Sequence, residues 1–70
     1  MVTKNKIFVK QTSWISNGGW YSGVTKDGEV LFLPNEADAP LFDLAKSEHI
    51  RRFLFRKNLF PVLMFPVLLS

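Results

Sequence analysis

The dipeptide Asp27-Gly28 sits between two short apolar segments, Trp20–Lys26 and Val30–Leu33, and this is the strongest local signal in the chain. An Asp-Gly pair supplies the positive backbone φ that tight hairpin turns need, so the flanking segments read as antiparallel strands. A second turn signal, Asn17-Gly18-Gly19, precedes the first of them. Upstream, residues 6–11 alternate Lys6, Phe8 and Lys10 with Ile7 and Val9, a strand pattern rich in β-branched and aromatic residues. Residues 12–16 read as a continuation or a second short strand, and Pro34-Asn35 ends the returning strand. The expected core architecture is an antiparallel meander of three to four strands over residues 6–34.

A helix is expected within 40–57. Leu41, Leu44 and Ala45, then Ile50, Phe53 and Leu54, keep helical spacing. Asp38 or Asn35 suits its N-cap and Pro40 its first turn. Ser47 is a candidate cap if the segment breaks in two. The end of the chain reads two ways. Phe53–Phe55 and Val62–Phe65 also suit two strands about a turn at Lys57-Asn58. The expected fold class is therefore α+β, a small antiparallel sheet with one helix packed on it. It forms one domain over 1–70, with 58–70 an apolar tail.

With 70 residues, no cysteine and one histidine, several chemistries drop out. Disulfide scaffolds, thiolate metal sites and cysteine nucleophiles are excluded, and one chain cannot build a multi-histidine metal site. No serine lies in a nucleophile-elbow context. Ser47, Glu48 and His49 are adjacent and so diverge around a helix. The acid pairs Asp27/Glu29 and Glu36/Asp38 fit turns and caps better than a cleft. No catalytic residue, cofactor or metal is expected.

Charge is segregated. Residues 1–26 carry +4 through Lys4, Lys6, Lys10 and Lys26, residues 27–48 carry −5, and residues 49–70 carry +4 through Arg51, Arg52, Arg56 and Lys57. The acidic middle either neutralises the basic ends within the fold or leaves them for a partner. The tail 59–69, LFPVLMFPVLL, is eleven residues without a charge, two of them prolines. A helical span needs about 20 residues, so the tail is expected to fold back over the sheet. Shallow insertion at a membrane surface is the less favoured alternative, with the upstream arginines on headgroups. The N-terminus does not read as a secretory signal, and the expected compartment is the cytoplasm.

Two binding elements stand out. Trp14, Trp20 and Tyr21 flank the glycine turn, with Lys10 and Lys26 on the same expected sheet. Basic residues among aromatics on a sheet suit single-stranded nucleic acid, although Trp14 is better read as core. Trp20 and Tyr21 are consecutive in a strand and so face opposite sides, with Ser22 and Val24 expected beside Trp20. The second element is the basic run HIRRFLFRK, with Arg51, Arg52 and Arg56. The expected function is a non-enzymatic binding module or regulator that docks on a larger protein or complex. Nucleic-acid binding is the alternative, a membrane-associated accessory subunit is the third reading, and the tail offers a route to self-association.

Residues 20–36, WYSGVTKDGEVLFLPNE, resemble the central hairpin of the cold-shock and related OB-type domains. That family pairs an aromatic–glycine strand with a V-F-V-type strand across an acidic-glycine turn. Here Tyr21, Gly23, Asp27, Gly28, Val30, Phe32 and Pro34 take those places. The resemblance covers a quarter of the chain. The basic-glycine start of the first strand is missing, and residues 37–70 do not show the two later strands.

Overall fold

The computed structural model describes residues 2–10 and 18–69. Strand β1 spans Val2–Val9, β2 Gly19–Val24 and β3 Val30–Leu33, and a 3-10 turn at Glu36–Asp38 leads to helix α1, Leu44–Arg56. Strand β4, Val62–Leu69, follows the helix. All pairings are antiparallel and the order across the sheet is β3-β2-β1-β4. The fold is thus the expected α+β class, a meander of β1, β2 and β3 with the fourth strand added beside β1. The candidate strand 12–16, with Trp14, lies outside the described residues.

Alternation sorts the sheet into two faces. Ile7 and Val9 of β1 point to α1 and meet Tyr21, Ile50, Leu54 and Leu59 in one buried cluster. Val30, Phe32, Phe42, Phe53, Val62 and Met64 pack around that cluster. Phe8, Trp20 and Phe65 share the opposite face, with ring centroids 4.9–6.4 Å apart. Gly18 has φ +79°, and a Cβ there would stand 2.5 Å from the Phe8 ring and 2.7 Å from the Lys10 carbonyl oxygen. Glycine meets both demands.

The β2–β3 turn forms as its sequence requires. The Gly28 N–H donates to the Thr25 carbonyl at 3.0 Å, the Thr25 N–H donates to Glu29 O at 2.9 Å, and Gly28 has φ +86°. The Thr25 hydroxyl accepts from the Glu29 N–H at 3.0 Å. Further down, the register slips between Tyr21 and Gly23, since Tyr21 pairs with Phe32 but Gly23 with Leu31. This bulge reverses the expected alternation. Val24 comes to the helix face beside Tyr21 and does not join Trp20.

The helix starts later than the sequence suggests. Phe42 pairs with Asn5 through two backbone hydrogen bonds of 2.8 and 2.9 Å. It fills the place beside β1 that β2 leaves, because β2 pairs with β1 only at Phe8 and Val9. A residue held in that bridge cannot be helical. Asp43 is therefore the N-cap, its carboxylate accepting from the Lys46 N–H at 2.7 Å. Asn35 and Asp38 belong to the 3-10 turn, and Pro40 lies outside the helix. Ser47 caps nothing. It is buried in the first turns, and its hydroxyl donates to the Asp43 carbonyl at 2.8 Å.

The two-strand reading of 53–65 fails at its first half, because Phe53–Phe55 are helical. Lys57-Asn58 ends the helix rather than a hairpin. Asn58 adopts φ +63°, its N–H donates to Phe55 O at 3.0 Å, and the Leu59 N–H donates to Leu54 O at 2.9 Å. This is a Schellman closure, and its usual apolar contact is here between Leu54 and Leu59, both fully buried. The apolar tail does not lie over the sheet either. As β4 it pairs with all eight residues of β1, from Val2↔Leu69 to Val9↔Val62. No helix among the described residues is long and apolar enough to cross a membrane.

Candidate functional site

Helix α1 presents three distinct strips. Ser47, Ile50 and Leu54 form the buried one. Lys46, His49 and Phe53 form a second, facing the β2–β3 hairpin across a groove of about 450 Å³ lined also by Tyr21, Val24 and Ile50. Glu48, Arg51, Arg52, Phe55 and Arg56 form the third, within 140° of arc at 100° per residue. This outer strip carries the unusual feature. Phe55 is 64% exposed and lies 5.6 Å from Phe60, itself 49% exposed. Two phenylalanines thus pack on each other in contact with water, on a helix face that also bears three arginines.

Local chemistry explains the arrangement. The Schellman turn reverses the chain directly after Arg56, and this returns Phe60 to the flank of the last helical turn. The three arginines are exposed. Arg51 forms a hydrogen-bonded ion pair with Glu48, and Arg52 Nε lies 3.6 Å from the same carboxylate. The Arg51 hydrogen bond lowers the Glu48 carboxyl from its ordinary value, opposed by desolvation. Arg56 has no ion-pair partner among the described residues. The Lys57 ammonium lies 5.7 Å from the Phe53 ring centroid, in reach of a cation–π attraction. One carboxylate set among Arg51, Arg52, Arg56 and Lys57 leaves this end of the helix strongly positive.

The other expected site residues do not gather there. Trp20 and Tyr21 lie on opposite faces of the sheet and both are buried, at 8% and 6% exposure. Trp20 packs against both Phe8 and Phe65, with centroids 4.9 and 5.2 Å away and ring planes tilted by 61° and 59°. With so little of its surface exposed, the ring offers no open platform for base stacking. Tyr21 packs on Phe42 at 5.5 Å, and burial pushes its phenol above the ordinary value. Lys26 is exposed at the hairpin turn beside Asp27. Lys10 is exposed just past β1, and its N–H donates to the Pro61 carbonyl at 3.1 Å, which brings it to the Phe60 corner. Lys6 reaches across to the Glu36 carbonyl at 2.8 Å.

The structure therefore unites Arg51, Arg52 and Arg56 and scatters Trp20, Tyr21 and Lys26. Sequence reasoning missed Phe55 and Phe60. The signal was present for Phe55, which falls one position beyond the Ile50–Leu54 stripe and so shares the arc of the arginines.

No family model matches the chain, and neither a curated protein nor a solved structure matches it. The architecture also departs from the cold-shock resemblance of residues 20–36. That family's five-stranded barrel is replaced by a four-stranded sheet with a helix on one face.

Proposed function

We propose that this chain is a non-enzymatic docking module that binds an acidic segment of a larger protein through the outer face of α1. The observation that carries the reading is the exposed Phe55–Phe60 pair set among Arg51, Arg52 and Arg56. Aromatic and arginine side chains are the types enriched where protein interfaces are strongest. The cationic surround selects the partner: an apolar anchor to cover the two rings, flanked by Asp or Glu to meet the guanidinium groups. A protein ligand suits this surface better than a nucleic-acid strand. Among the described residues this surface exposes two rings, which pack on each other, and Trp20 is buried on the other side of the sheet.

The test is selection from a displayed random-peptide library against the wild-type chain, with counter-selection on Arg52→Glu/Phe55→Ser. Enriched peptides should combine acidic residues with one aromatic or aliphatic anchor. Phe55→Ala should weaken them by about 1–2 kcal/mol. Peptides without acidic bias, or binding indifferent to both substitutions, refute the proposal. A titration of tryptophan fluorescence with single-stranded oligonucleotides at low salt tests the competing class, where steep salt-sensitive binding would favour nucleic acid.

A further inference from the structure

We propose that the outer edge of β4 pairs with the same edge of a second copy of this chain, antiparallel about a twofold axis at Leu63. In an antiparallel strand the N–H and C=O of one residue leave on the same side, and the side alternates. Asn5 spends both groups on Phe42, on the β2 side of β1. The even residues Lys4, Lys6 and Phe8 therefore face β4, in agreement with the Lys10 N–H reaching the Pro61 carbonyl. By the register, their partners Val67, Phe65 and Leu63 point inward. Val62, Met64, Pro66 and Leu68 point outward, and among the described residues nothing pairs with that edge.

Pro66 explains why this strand tolerates a proline and also selects one way of pairing. Its nitrogen faces the open edge, so the β1–β4 ladder loses no donor. In any further ladder Pro66 contributes no N–H. An axis at Met64 sets Val62 against Pro66 of the partner and leaves two Val62 carbonyls without donors. An axis at Pro66 sets proline against proline. An axis at Leu63 pairs Val62 with the partner's Met64 and Met64 with the partner's Val62. All four N–H groups then meet a carbonyl.

Side-chain chemistry points to a second copy. Residues 62–69 carry no charge, so two copies of this edge meet without like-charge repulsion. Leu63 is 39% and Phe65 41% exposed, and Phe65 continues the Phe8–Trp20 cluster toward this edge. At the axis the two Leu63 residues form a non-hydrogen-bonded pair, the closer of the two antiparallel kinds. The contact is isologous and closed, extending the sheet to eight strands without starting a fibre. This inference does not depend on the helix-face reading above.

The test uses the full chain in sedimentation equilibrium from micromolar to millimolar concentration, with Leu63→Lys and Leu63→Glu variants. The wild type should dimerise. Each variant alone should associate at least about tenfold more weakly, because like charges face each other at the axis, and an equimolar mixture of the two should recover the dimer. If a variant fails to fold, amide hydrogen exchange on the wild type decides. The Leu63 and Phe65 amides should be protected at every concentration, and those of Val62 and Met64 only where the dimer forms. A wild type that stays monomeric, a dimer insensitive to both variants, or Val62 and Met64 amides that exchange freely in the dimer each overturn the proposal.

Discussion

Leu59→Ala is the most informative perturbation of the fold. Leu59 is fully buried, it closes the Schellman turn of α1 against Leu54, and it touches the core shared by β1 and α1. The substitution removes three carbon atoms, worth about 2.4 kcal/mol at ~0.8 per methylene. A cavity between a helix end and a sheet collapses only in part, which raises the cost to roughly 3–4 kcal/mol. A chain of 70 residues has a total stability of roughly 4–10 kcal/mol. Leu59→Ala should thus remove a third or more of it. Leu44→Ala is the control, the same chemical change at the first residue of α1, where the side chain is 62% exposed. It should shift stability by no more than about 0.5 kcal/mol. Urea unfolding, followed by tryptophan fluorescence and far-ultraviolet circular dichroism, measures both. Equal losses in the two variants would refute the assignment of Leu59 to the core.

Two further predictions follow from backbone and burial. Asn58→Gly should stabilise the chain by about 0.5–1 kcal/mol because glycine adopts positive φ without strain, and Asn58→Val should destabilise it by about 1–2 kcal/mol, both read as shifts of the urea midpoint. The single tyrosine, Tyr21, should titrate in the ultraviolet above the ordinary value of about 10 and return to it in urea. Its folded-state shift is upward, so its contribution to stability is complete below the unfolded value and fades as pH rises through the folded one. A midpoint equal in folded and unfolded chains would contradict the burial of its ring.

The parts of the fold legible in the sequence were those set by near neighbours. Asp27-Gly28 carries its turn in two residues, and Ile50 and Leu54 mark the buried side of the helix by spacing alone. What escaped depended on distant partners. Nothing near Phe42 announces that it will fill a gap beside Asn5, yet that bridge moves the helix start to Leu44. The bulge at Ser22 has one local sign, the glycine that follows it, which does not by itself fix the register, and the bulge carries Val24 to the helix face. The candidate strand Val62–Phe65 stops short of Pro66, whereas β4 runs on to Leu69, which an edge strand with the proline nitrogen outward allows. Lys57-Asn58 reads as a reversal in the sequence, but a helix terminus and a hairpin both use a residue at positive φ, so the type is not decided locally. For the candidate site, the arginines were legible as a run. Their joining to Phe60 needed the reversal at Asn58.

The pairing of β1 with β4 also sets the order of events when the chain is made. β1 leaves the ribosome first, but β2 meets only its last two residues, and its eight-residue partner begins 53 positions after β1 ends. At ~5–20 residues per second, that interval is roughly 3–10 s. Through it, a segment with Ile7, Phe8 and Val9 has its main pairing surface open. Folding that waits for contacts so far apart is slow compared with helix formation. A nascent chain stalled within α1 would therefore offer Lys4, Lys6 and Phe8, the residues whose backbone faces β4, to whatever extended segment is nearby.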